Sequence, residues 1–328
     1  MRFAFTDDQI AFRDAVRELL AKECPPGVVR EAWGVDAGRV GRAWAALGEM
    51  GVLGLLAPES AGGLGLTSMD LVLLLEETGY AALPEPVVEH AAVAMPLLGE
   101  APDRDFEAFL AGDQTLTTSF LHEPVVPYAD RADHLLLVHD GAWYRVARAD
   151  VELTPIESVD RARRLARVQW APARATVVAE GPAAAAAFDR GALGTAAQLI
   201  GLTRRMLDMT VEYATERRQF GVPIGTFQAV KHHLADARIA LEFARPLVYR
   251  AAWSLAAGDA DAAVHVSMAK ATASDAALLT AKHALQCHGA IGYSFEYDLH
   301  LFMKRAWALA AAWGDAALHR DRVGRAIL

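Results

Sequence analysis

The sequence predicts an α+β multi-domain protein that is mostly α. It has a helical N-terminal domain over residues 1–114, a reduced middle β domain over 115–180 and a C-terminal four-helix bundle over 181–328. Three observations carry this prediction. Apolar residues recur at helical spacing through the first third of the chain, and over much longer stretches from Ala183 onward. From Thr115 to Val178 the pattern changes to short apolar runs divided by turn residues, as strands require. Hydrophobic residues make up 53% of a 328-residue chain, enough to bury a large core and to argue against global disorder.

The elements follow in order. Thr6 and Gln9 have capping-box spacing, and Ile10, Phe12, Val16, Leu19 and Leu20 then form an apolar stripe. Pro25, Pro26 and Gly27 end that helix. A second helix fits residues 40–50. Gly51, Gly54, Pro58 and the glycines of residues 62–65 make the next segment a loop. A further helix runs from a cap at Ser68 to a C-cap at Gly79. In the middle, residues 135–139 and 142–146 read as strands joined by the hairpin dipeptide Asp140-Gly141. Residues 167–170 and 175–178 also read as strands, with Trp143 and Trp170 as packing residues. Leu199, Leu202, Met206, Met209 and Tyr213 mark one face of the first bundle helix. Phe227, Val230, Leu234, Leu241, Leu247 and Val248 mark the second, with Pro246 as a kink and Gly258 as its end. A third helix spans residues 261–288, and a fourth runs from Asp298 to the C-terminus.

Net charge is −9, which argues against a nucleic-acid partner. Cys24 and Cys287 have no metal-ligand spacing, so a reduced, cytoplasmic setting is expected and no metal site. The first residues lack an apolar signal-peptide core, and no apolar run reaches the roughly 20 residues that span a bilayer.

Residues 217–228 concentrate the candidate chemistry: Arg217, Arg218, Gln219, Phe220 and Gln228 lie on a turn between two long helices. A guanidinium there can fork onto phosphate oxygens. Arg217 and Arg218 equally suit a helix C-terminus as a solvated pair, Phe220 could be core, and Gln286 could be a buried amide.

The order of short motifs resembles the acyl-CoA dehydrogenase family along nearly the whole chain. Residues 47–54, 57–59, 62–65 and 76–79 resemble its N-domain landmarks, residues 217–228 and 234–236 its first bundle turn, and residues 286–293 its second. The resemblance implies FAD held between two subunits. Arg217 would face the pyrophosphate, Phe220 would pack near the adenosine, and Gln228, Gln286 and the backbone at Gly289 would add contacts. It also implies removal of an acyl-CoA α-proton by a glutamate as the flavin accepts a β-hydride. Glutamate suits that task because burial raises its pKa, whereas an indole accepts no proton.

The glutamate is missing. Its usual C-terminal position falls on Trp313, and the minority position at the start of the first bundle helix falls near Gly191. The family's flavin-ring loop and tryptophan strand are also absent between Leu116 and Val178, where residues 117–119 are at most a remnant. This pattern resembles the smaller subunit of heteromeric α2β2 acyl-CoA dehydrogenases that act on steroid side-chain CoA thioesters. It implies a glutamate-bearing paralogue as partner, with no catalytic residue on this chain. The alternatives are a self-sufficient flavoenzyme with a displaced base at Asp315, Asp189 or Glu296, or a non-catalytic scaffold. For Asp315 itself a surface or helix-terminal role is expected.

Overall fold

The structure is a computed structural model that describes residues 4–34, 42–119 and 125–328. Helix α1 (Asp7–Glu23) opens with the expected capping box between Thr6 and Gln9. Pro25 and Pro26 end α1 and start a further short helix, α2 (Pro26–Ala32), since proline is tolerated in a first turn. The helix expected over residues 40–50 is α3 (Ala43–Glu49), and Val40 and Gly41 lie outside the described residues.

Helix α4 (Ser68–Tyr80) corrects two readings. Thr67, not Ser68, is the cap, with Asp70 returning a carboxylate oxygen to the Thr67 N–H at 2.9 Å. Gly79 is not a C-cap but lies inside the helix, because a Cβ there would meet the Gln198 carbonyl oxygen at 2.1 Å. Gly201 answers it from the other helix, where a Cβ would sit 1.9 Å from the Glu76 oxygen. Small residues allow this close crossing of helices. A π-helical segment (Val88–Ala94), α5 (Met95–Leu98) and α6 (Phe106–Ala111) complete the first helical part.

Strands β1 (Leu116–Thr118), β3 (His134–His139), β4 (Ala142–Ala147) and β7 (Thr176–Ala179) form one sheet in the order β1-β3-β4-β7. Strands β2 (Val125–Val126), β6 (Ala166–Gln169) and β5 (Glu152–Pro155) form a second. The β3–β4 hairpin turns at Asp140-Gly141 as expected. Strand alternation divides β3 between two cores: Leu135 and Leu137 join a small cluster between the sheets, while Leu136 joins the main core.

Helix α7 (Gly181–Glu216), a two-strand ribbon β8 (Arg218–Gln219) and β9 (Val222–Pro223), α8 (Gln228–Ala256) and α9 (Ala262–His288) follow. Pro246 lies inside α8, which continues past it. The expected fourth helix is two helices, α10 (Leu299–Ala311) and α11 (Ala316–Ile327), because the chain reverses at Trp313 and Gly314, both at positive φ. The bundle therefore carries a fifth helix.

Buried charge ties the N-terminal helices to this bundle. Glu76 of α4 accepts from Arg204 at 2.8 Å and from the Tyr249 hydroxyl at 2.8 Å. Glu77 accepts from Arg17 at 2.9 Å and Arg204 at 2.6 Å. Both carboxylates are nearly wholly buried, where removing a partner from a buried ion pair is costly.

Candidate functional site

Two regions hold the residues that the sequence singled out, and they differ in character. The first is the end of the bundle that carries the turn of residues 217–228. Arg217 is the C-cap of α7; its backbone N–H donates to the Tyr213 oxygen at 2.8 Å, while its side chain is exposed and makes no ion pair among the described residues. Phe220, at the tip of the β8–β9 ribbon, has φ +54 and is 93% exposed, so the core alternative for this ring is excluded. Gln228 opens α8 and Gln286 lies in the last turn of α9, both exposed. The buried-amide alternative for Gln286 is excluded too. Gly289, with φ +64, has nothing within 4 Å of a Cβ built on it.

Packing brings these groups to one end of the bundle. Tyr213, one turn before Arg217, stacks on His288, next to Gly289, with ring centroids 4.3 Å apart. His233 of α8 and His283 of α9 meet at 2.6 Å between Nδ1 atoms and join the helix ends that carry Gln228 and Gln286. An exposed guanidinium, an exposed aromatic ring, two exposed amides and an open glycine suit the phosphates and base of a dinucleotide.

The second region surrounds Trp313 and offers no such opening. Trp313 is completely buried. A Cβ on Gly191 would stand 2.4–2.5 Å from three carbons of its indole, so the ring at one candidate base position occupies the space that a side chain at the other would need. The indole stacks on Trp143 at 6.3 Å and 19° and leans on Phe188 at 6.1 Å. Trp143 is itself fixed by donating to the Ala184 oxygen at 3.2 Å, the packing role expected of it. These residues do not fit the ring end of a flavin; aromatic side chains stand where a planar ring system would need a crevice.

The loop bearing Trp313 is held from behind. Lys270 Nζ donates to the Ala310 oxygen at 3.1 Å, the Gly314 oxygen at 2.9 Å and Ser274 Oγ at 3.1 Å. Burial pushes the Lys270 pKa down to about 7, against the opposing pull of Asp315. His319 Nε2 bonds the Trp313 oxygen at 2.8 Å, and burial lowers that imidazole to about 4.

The three displaced carboxylates are occupied otherwise. Asp315 caps α11, accepting from the Leu318 N–H at 2.8 Å, the helix-terminal role expected of it. Asp189 pairs with Arg322 at 2.8 Å. Glu296 is exposed on the segment between α9 and α10. One carboxylate escaped the sequence reading. Glu89, on the π-helical segment, is buried beside Trp313. Burial raises its pKa, opposed by Arg163, Arg305 and a hydrogen bond from the Trp313 side chain. The signal was present: Glu89 and His90 are polar residues inside the apolar run of residues 87–98. Lys270 had a similar signal, recurring at helical spacing with Val266, Ala273 and Ala277 on a buried face.

No helix among the described residues is long and apolar enough to cross a membrane. Residues 6–104 match the acyl-CoA dehydrogenase N-terminal domain, and residues 180–328 match the acyl-CoA dehydrogenase C-terminal domain. Acyl-CoA dehydrogenase IpdE2 of Mycobacterium tuberculosis is 33% identical over 302 residues, spanning 92% of this chain and 91% of the relative. Acyl-CoA dehydrogenase FadE34 of the same organism is 32% identical over 349 residues, covering 97% of this chain and 48% of that protein. Among solved structures, the ChsE4-ChsE5 complex from Mycobacterium tuberculosis matches with a TM-score of 0.89 at 26% identity, over 99% of this chain and 98% of the matched one. Butyryl-CoA dehydrogenase from Megasphaera elsdenii shares the fold, with a TM-score of 0.84 at 21% identity over 100% of both chains. From its domain matches and from the near-full-length likeness to IpdE2, the chain belongs to the acyl-CoA dehydrogenase family, whose cofactor is FAD.

Proposed function

We propose that this chain is the subunit of a heteromeric acyl-CoA dehydrogenase that grips the nucleotide half of FAD, while a paralogous partner supplies the flavin-ring contacts and the catalytic glutamate. The assembly would desaturate an acyl-CoA at Cα–Cβ, with a steroid side-chain CoA thioester as the proposed substrate. One observation carries the proposal: the buried Trp313 indole rests directly over Gly191, so neither base position is available. In this reading Arg217, Phe220, Gln228, Gln286 and Gly289 receive the partner's cofactor, and their exposure supports it. The match to a chain of the ChsE4-ChsE5 complex supports a paralogous partner.

The test is co-expression. The isolated chain should retain little FAD and show no acyl-CoA dehydrogenase activity; with its partner it should yield a yellow, active complex. Arg217→Ala should cut the flavin content of that complex, and an unchanged content would favour a scaffold. The self-sufficient reading keeps one observation, the buried Glu89 with its raised pKa. Its carboxyl, however, is engaged by Arg163 and the Trp313 side chain. Turnover by the isolated chain that disappears in Glu89→Gln would favour that reading.

A further inference from the structure

The helix ends that carry Gln228 and Gln286 are joined by a side-chain bridge. His233 lies in the second turn of α8, five residues after Gln228; His283 lies three residues before Gln286 near the end of α9. At a rise of about 1.5 Å per residue, the bridge stands roughly 7 Å and 5 Å along the helices from those two amides. The rings approach at 2.6 Å between Nδ1 atoms, with centroids 4.8 Å apart. A contact between two imidazole nitrogens needs one proton between them: one ring donates and the other accepts. The pair tolerates one extra proton on its outer nitrogens. A second extra proton puts N–H groups on both facing atoms and turns the bond into a repulsion between two cations.

We propose that the His233–His283 bridge is a positioning device that sets the spacing of the two FAD-contacting helix ends and releases it when both rings are protonated. The inference rests on the nucleotide-binding role proposed above. Burial lowers the His283 pKa most, followed by His233 of α8; of the charged groups on the two helices, Asp236 of α8 pulls it up and Lys282 of α9 lowers it. His283 therefore takes its proton below the ordinary histidine range, and the bridge is intact at neutral pH. Acidification weakens it by setting like charges face to face across two packed helices.

The experiment measures FAD dissociation from the flavin-loaded complex by recovery of free-flavin fluorescence at pH 5.0–8.0. Wild type is compared with His283→Gln, whose side-chain amide can still bond His233 but takes no proton. In wild type the dissociation constant should rise about tenfold from pH 7.5 to pH 5.0, the order expected of two close like charges partly screened by solvent. In His283→Gln it should match wild type at pH 7.5 and change less than twofold. Parallel pH profiles for the two proteins would overturn the inference while leaving the nucleotide role intact. Failure to hold FAD at any pH would instead sink the nucleotide role. Loss of the wild-type pH dependence in EDTA would also overturn the inference, because a metal rather than a proton would then bridge the rings. Long-range imidazole NMR of the full chain reads the pair without flavin: a proton shared between Nδ1 atoms at pH 7.5, lost on acidification, is expected, and two independent titrations would refute it.

Discussion

A methyl group added at Gly191 should change the sign of its effect with the residue at 313. In the native chain the new Cβ would lie 2.4–2.5 Å from three indole carbons, whereas carbon–carbon contact settles at about 3.5–4.0 Å. The ring has to retreat by about 1 Å or more, but Trp143 and Phe188 hold its faces, and Lys270 and His319 hold its backbone. Overpacking of this kind costs about 1–3 kcal/mol. Against it stands the gain from replacing glycine inside a helix, about 1 kcal/mol. Gly191→Ala should therefore destabilise the native protein by up to roughly 2 kcal/mol. With Trp313→Leu the obstructing ring is gone and only the helix gain remains, so the same substitution should stabilise by up to about 1 kcal/mol. Urea unfolding of the four proteins, followed by far-UV circular dichroism, gives the coupling directly, expected at roughly 1–3 kcal/mol. Stabilisation by Gly191→Ala in both backgrounds would mean that the indole does not rest on Gly191, and the closed-site reading would fall with it.

Two further predictions rest on buried charge. Lys270 is lowered to about 7 in the folded chain from an ordinary value of 10.5, so between those pH values the unfolded chain holds a proton that the folded one does not. Stability should rise with pH across that window, by up to about 1.4 kcal/mol per unit, and Lys270→Met should remove this component; an unchanged slope in chemical denaturation at pH 7–10 would disprove it. Arg204→Met should cost about 3–5 kcal/mol, because it leaves Glu76 and Glu77 buried with fewer cations; a loss below about 1 kcal/mol in the same assay would show that solvent reaches both carboxylates.

The order of helices and strands was legible because local periodicity and turn chemistry write it. The Asp140-Gly141 hairpin and the Thr6 capping box are cases where a few adjacent residues decide the structure. What stayed hidden depends on distant partners. Gly79 reads as a helix end from its neighbours, yet it is small because Gln198 of α7 passes against it. Residues 298–328 read as one helix because nothing local announces that Trp313 takes φ +57; a lysine some forty residues away helps to hold that turn. Motif order singled out Arg217, Phe220, Gln228, Gln286 and Gly289, and the structure adds that they are exposed and close to one end of the bundle. Glu89 was missed because its significance lies in its proximity to Trp313, which sequence distance conceals.

The packing around Trp313 is more than the absence of a carboxylate at one position. A non-glycine residue in the left-handed region costs about 1–2 kcal/mol, and a buried lysine loses hydration as well. Both are accommodated only because Lys270 meets two loop carbonyls and a hydroxyl, His319 meets the Trp313 oxygen, and the ring packs against Gly191, Trp143 and Phe188. Restoring a carboxylate at that one position should therefore not restore a base. In Trp313→Glu the new carboxyl would lie in the space beside Glu89, whose pKa burial already raises, and two buried carboxyls so close do not both ionise. The variant would also lose the ring's packing, worth about 3–5 kcal/mol for a large aromatic side chain. It should unfold earlier than wild type and, at temperatures where it remains folded, give no acyl-CoA-dependent reduction of an artificial electron acceptor in the presence of added FAD. Turnover by this single variant would show that the crevice is open to flavin and substrate after all, and that the chain lacks only its acid–base group.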